Sequence, residues 1–210
     1  KMNKTKLYDL EDLIKLRKDL HMHPEIGYHE YRTADKIIEY LFKLGINENQ
    51  IRRVARTGII VDIYGKGQPS GKPFCIAIRA DMDGLPIQEV TPDIEYRSKT
   101  NVAHMCGHDG HITCLLAGAA KILEKIDQIP SDKCVRLLFQ PAEEGLGGAF
   151  IMIQEGAMDG VDEVYGMHNW PTQKPGKMLV KPEYFMPIIH TYEVRIIGKG
   201  GRASQVEGII

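Results

Sequence analysis

The chain has 210 residues, 43% apolar and 26% charged, the make-up of an ordinary soluble globular protein with room for one large domain, or for one domain and part of another. Lys and Arg number 27 against 28 Asp and Glu, a net charge of −1, so no basic field points to nucleic acid and no polybasic stretch to a membrane surface. The longest apolar stretch, Ile112 to Leu123, contains Thr113 and Lys121 and is too short to span a bilayer.

A weak helical period opens the chain at Leu7, Leu10, Leu13 and Ile14. This N-terminus turns acidic and amphipathic within a few residues and lacks the apolar core of a signal peptide. A stronger period runs through Ala34, Ile37, Ile38, Leu41 and Phe42, closed by the helix-stop residue Gly45. Phe74 to Ile78 is a short apolar run suited to a strand buried on both faces. A third helical period occupies Ile112, Leu115, Leu116, Ala119, Ala120 and Leu123. Val135 to Phe139 and Glu163 to Met167 read as two further buried strands. Cys75 and Cys114 lie in apolar runs and are expected to be small buried hydrophobes; Trp170 is expected to pack, with substrate contact the alternative because it stands beside His168. The four cysteines make no disulfide framework, and the expected compartment is the cytoplasm.

From Ile188 to Ile197 the pattern changes: His190, Tyr192, Val194 and Ile196 oppose Thr191, Glu193 and Arg195, as in a half-exposed antiparallel strand. The expected fold is therefore α/β, a mixed sheet flanked by helices, over residues 1–186. Something different is expected to begin near Pro187.

The chemistry collects at strand ends, where open α/β sheets bind ligands. The 74–80 strand runs into Asp81-Met-Asp83, the 135–140 strand into Pro141-Ala-Glu143-Glu144, and the 163–167 strand into His168. Just before the third helix stands His104-Met-Cys106-Gly-His108-Asp-Gly-His111. A thiol and imidazoles at i, i+2 and i+5 suit zinc, cobalt or manganese. The competing reading is a solvated loop in which Asp109 caps the helix. Glu143 and Glu144 are either a solvated charge pair or a ligand beside a general base, since adjacent carboxylates in a crowded turn need a compensating cation. Asp81 and Asp83 are either part of the site or a turn with Gly84 and Pro86. A nucleotide-binding reading rests only on Gly65-Lys-Gly67, which opens no helix.

Arg79-Ala-Asp-Met-Asp-Gly-Leu-Pro86, Met105-Cys-Gly-His-Asp-Gly-His111, Phe139-Gln-Pro-Ala-Glu-Glu-Gly145 and Gly166-Met-His-Asn-Trp-Pro171 resemble the M20 metallopeptidase family. The subgroup is that of N-acyl-amino-acid amidohydrolases, hippurate hydrolases and plant auxin-conjugate hydrolases, and Leu20-His-Met-His-Pro-Glu-Ile-Gly27 is similar to the same subgroup. The resemblance implies a zinc-exopeptidase-like catalytic domain holding two divalent ions (zinc, manganese, cobalt or nickel). Cys106, His108, Glu144 and His168 would be the ligands, Glu143 the general base, and Asp83 the aspartate that orients a ligand. It implies hydrolysis of N-acyl amino acids by metal-activated water, with a small-molecule substrate and a homodimeric full-length form.

The same resemblance implies that this chain is the N-terminal portion, with the catalytic domain (1–186) incomplete, one ligating histidine missing, and residues 187–210 only the first strand of a smaller α+β lid or dimerisation domain. Arg202, in Gly198-Lys-Gly-Gly-Arg-Ala-Ser204, replaces the family histidine that assists the oxyanion. The alternative is a truncated, non-catalytic relative acting as a metal-binding or interaction module. The chain as it stands is expected to hydrolyse N-acyl amino acids poorly.

Overall fold

The computed structural model describes residues 7–67, 71–183, 186, 192–198 and 204. Helices α1 (Leu10–Met22) and α2 (Tyr31–Lys43) come first, then a hairpin of β1 (Ile51–Val54) and β2 (Gly58–Tyr64). There follow β3 (Phe74–Asp81), α3 (His108–Glu124), β4 (Lys133–Gln140), α4 (Gly148–Gln154) and β5 (Glu163–Gly166).

Helix α1 starts at Asp9, whose side chain accepts the Glu11 N–H. Its core face is Leu13, Leu16 and Leu20, while Leu7, Leu10 and Ile14 are exposed. The opening period thus has a different phase from the one expected, because only Leu13, i+3 and i+7 share the buried stripe. Helix α2 buries Ala34, Ile37 and Leu41 of its expected stripe, whereas Phe42 at the end of that stripe is exposed. The helix ends with Gly45 at φ +87°. The Gly45 N–H reaches the Phe42 carbonyl and the Ile46 N–H the Leu41 carbonyl, the paired bonds of a glycine C-cap.

The sheet order is β1-β2-β4-β3-β5. The pairs β1/β2 and β2/β4 are antiparallel, and β3 runs parallel to both β4 and β5. Alternate residues face two separate cores. Ile59, Val61, Ile63, Leu137 and Phe139 pack with α1, α2 and α3, whereas Ile60, Leu138 and Ala77 pack with Met152 of α4. Burial on both faces explains the largely apolar sequences of β2 and β4, and the charges that interrupt them, Asp62 and Arg136, pair with each other at 2.7 Å. Strand β5, expected to be buried, is exposed at all its residues. It lies at the sheet edge, pairing with β3 alone among the described residues. Cys75 is buried as expected, but Cys114 is exposed: on α3 it falls outside the stripe formed by Ile112, Leu115, Leu116, Ala119 and Ala120.

The chain divides into two units, Lys1–Trp170 and Pro171–Ile210. The first holds every helix and strand among the described residues. In the second, Tyr192–Gly198 forms no strand, with no partner strand among the described residues to complete a ladder; residues 188–191 and Arg202 lie outside those described. No helix among the described residues is long and apolar enough to cross a membrane.

Candidate metal centre

Because β4, β3 and β5 are parallel neighbours, their carboxyl ends meet at one edge of the sheet. There β3 delivers Asp81 and then Asp83, both buried, β4 delivers Glu143 and Glu144, and the chain after β5 delivers His168. Gly107, at φ +92°, turns the chain into α3 and brings His108 and His111 to the same edge. A side chain at Gly107 would collide with the Asn169 side chain 2.4 Å away.

His108 is the hub. It is fully buried, and its Nδ1–H donates to the Asp83 carbonyl oxygen at 2.8 Å, which leaves Nε2 with a free lone pair. That Nε2 has no hydrogen-bond partner. It lies 3.5 Å from an Asp81 oxygen and 3.8 Å from oxygens of both Glu143 and Glu144. Three donor groups form around it, each with ligand atoms within 4.8 Å of one another: Cys106–His108–His168, His108–Glu143–Glu144 and Asp81–His108–His111. The Cys106 sulfur is 3.3 Å from His168 Nε2, and the other His168 nitrogen is held by the Asn169 carbonyl at 2.7 Å.

The electrostatics ask for a cation. Burial, with the charges of Glu144 and Glu143 beside it, pushes the Cys106 thiol up to about 12. Burial and the neighbouring Glu143 also raise Glu144. Burial pushes Asp81 up as well, but the His111 hydrogen bond and the Arg79 charge outweigh it and hold the carboxyl at about 2. A thiol, imidazoles and carboxylates converging on an orphaned buried imidazole nitrogen suit a divalent metal ion, whose charge would offset this repulsion.

All six residues expected at the site are brought together: Cys106, His108, Glu143, Glu144, His168 and Asp83. Asp83 touches two of them, through its carbonyl to His108 and through its carboxylate, which accepts the Glu144 N–H at 2.9 Å. The solvated-loop alternative fails, because His104, His108 and His111 are all buried. Nor does Asp109 cap α3. The cap is Gly107, and Asp109 sits buried in the first turn, bonded to Arg17 and His21 at 2.8 Å each. His104 is held neutral at about 4 by burial and joins none of the donor groups. Trp170, expected to pack, is exposed.

Asp81 and His111, both candidates from the sequence, form a unit with Asn169, which was not among them. His111 Nδ1 meets Asp81 at 2.6 Å, and its Nε2 receives the Asn169 N–H at 3.0 Å. The available signal for Asn169 was its adjacency to His168.

Residues 77–207 match the sequence profile of peptidase family M20/M25/M40. The chain belongs to this family. Among curated M20 relatives, thermostable carboxypeptidase 1 of Saccharolobus solfataricus is 39% identical over 96% of this chain and 50% of its own length. The N-acyl-L-amino acid amidohydrolase of Geobacillus stearothermophilus is 42% identical over 92% and 50%. The M20 chain thus spans about half the length of the curated relatives it matches. Among solved structures, a Bacillus subtilis protein described as a dinuclear metal binding peptidase of the M20 family superposes with a TM-score of 0.69. It is 38% identical, over 77% of this chain and 43% of that one.

Proposed function

We propose that the intact protein is a metal-dependent amidohydrolase that releases an amino acid from an N-acyl amino acid. The observation that carries this reading is the buried, partnerless Nε2 of His108 facing Asp81, Glu143 and Glu144. The names of the relatives support it: an N-acyl-amino acid amidohydrolase and a carboxypeptidase both cut an amide whose amine side is an amino acid.

Cys106, His108, Glu144 and His168 would hold two divalent ions, zinc, manganese, cobalt or nickel. Ions bound there would polarise the scissile carbonyl and make water nucleophilic at neutral pH. Within the pair, Glu144 is the ligand and Glu143 the base: the Glu143 side chain is 39% exposed against 24% for Glu144, so Glu143 is the more open to substrate. Its carboxylate takes the proton from the attacking water and passes it to the departing amine. Asp83 holds His108 by its carbonyl and the Glu144 backbone by its carboxylate, fixing the angle between two ligands. The need for a reduced Cys106 as ligand supports a reducing compartment, the cytoplasm. Residues 187–210 would begin a lid or dimerisation unit of a homodimer.

The test is metal analysis of the purified intact protein together with release of amino acid from N-acetyl- or N-benzoyl-amino acids. Metal-dependent turnover is expected. A protein that binds no divalent ion would overturn the reading.

A further inference from the structure

Glu30 is the first residue to explain, because a fully buried carboxylate with no cation among its hydrogen-bond partners is costly. It occupies the N-cap position of α2, yet its side chain makes no capping bond. That task falls to Glu25, whose carboxylate accepts the Arg32 and Thr33 N–H groups at 3.1 and 2.8 Å. Released from its own helix, the Glu30 carboxylate bonds two segments distant in sequence. One oxygen accepts the Ala142 N–H at 2.8 Å and the other accepts the Thr57 hydroxyl at 2.6 Å.

Ala142 is an unusual recipient. It has φ +51°, a left-handed conformation that alanine avoids, and it immediately precedes Glu143 and Glu144. A residue in that conformation persists only where its surroundings over-determine it. Here they do. On the far side of the turn the Glu144 N–H is taken by the carboxylate of Asp83. Gly27, three residues before Glu30, lies so close that a side chain there would meet the Ala142 Cα at 2.9 Å. The Tyr28 hydroxyl donates to the Leu146 carbonyl at 3.1 Å beyond the glutamates. The segment from Gly27 to Glu30 therefore grips both ends of the glutamate turn, and two buried carboxylates bracket it.

We infer that Glu30 is a positioning residue for the Glu143–Glu144 pair. By holding Ala142 in its left-handed conformation, it aims the proposed ligand and the proposed base at His108. The inference rests on the amidohydrolase reading of that pair.

The test is a cycle in the intact protein: Glu30→Ala, Ala142→Gly and the double variant, each loaded with cobalt and read by its visible absorption, its cobalt affinity, and kcat and KM on an N-acetyl amino acid. Glu30→Ala should lower cobalt affinity and kcat by about 10–100-fold, the range for residues that orient metal ligands, with KM changed little. Ala142→Gly on top should restore much of both, because glycine adopts positive φ without a clamp. Glu30→Gln should stay close to wild type, since an amide can still accept from Ala142 and bond Thr57. If Glu30 served only global stability, Glu30→Ala would lower the melting temperature while the spectrum and kcat of the folded protein stayed at wild-type values, and Ala142→Gly would destabilise further; that result overturns the inference. Should Glu30→Ala not fold, Glu30→Asp, one methylene short of Ala142, must show the same loss and the same rescue. A wild-type protein that takes up no cobalt through Cys106 would instead sink the amidohydrolase reading itself, and the positioning role with it.

Discussion

The turn after β4 and the loop after β5 each bring a proposed ligand to His108, and they are built in opposite ways. Ala142 is fully buried, and the backbone around Glu143 and Glu144 is fastened by carboxylates from two other parts of the chain. His168 follows an exposed edge strand, and its loop is fastened chiefly through Asn169, whose side-chain Oδ1 lies 2.6 Å and backbone N–H 3.0 Å from His111 Nε2 and whose side chain packs on Gly107. The carboxylate half of the centre is thus preorganised by the core, and the His168 half depends on one neighbour. A ligand set that looks uniform in sequence is mechanically uneven.

The largest expected effect separates the two glutamates within the braced turn. Glu143→Gln in the intact protein should lower kcat by about 10²–10⁴-fold, the contribution of a general base, with bound metal unchanged. Glu144→Ala should lose metal as well as turnover, as judged by elemental analysis after dialysis. Equal metal loss in both variants would show that the roles are shared or reversed.

Next in size is the less supported loop. Asn169→Ala should weaken cobalt binding by about 10–100-fold, with the thiolate-to-cobalt absorption of Cys106 altered first. Gly107→Ala should act the same way by displacing Asn169. Wild-type affinity in both would mean that His168 needs no anchor and that the contrast between the loops is only one of exposure. Hydrogen exchange sharpens the same contrast without mutation: the Glu144 N–H, held by buried Asp83, should exchange more slowly than the Asn169 N–H.

The smallest effect concerns the charges beneath α3. The Asp109 hydrogen bond raises the pKa of His21, against the opposing effect of burial. A raised histidine contributes stability that is complete below the ordinary value of 6.5 and is lost as pH rises through the folded-state value. The melting temperature should therefore fall as pH climbs above about 6.5, by roughly 2–4 °C for each kcal/mol of pairing lost. His21→Gln should flatten that slope; an unchanged slope would assign it to other groups.

Much of the architecture was legible in the chain. The α2 and α3 periods, the β3 and β4 runs and the delivery of Asp83, Glu144 and His168 at strand ends all follow from local pattern. The hairpin of β1 and β2 was passed over, although Gly58–Tyr64 is as apolar as β4. The burial of β5 was misjudged because sequence shows that a segment is apolar and not whether it has one sheet neighbour or two. Likewise Leu10 and Ile14 look like core residues until the packing of α1 selects the face containing Leu20.

The identity of the donors and the family are properties of the sequence alone, because a thiol, an imidazole and a carboxylate carry their coordination chemistry wherever they lie and their spacing survives as text. What only the tertiary structure decided is which groups are stripped of water and which are braced. His108 and Asp81 are separated by a long stretch of chain, as are Glu30 and Ala142, yet each pair is brought together in the interior. Their chemistry depends on burial and on distances of a few ångströms, and parallel strand pairing and close packing set those distances between residues that local sequence cannot relate.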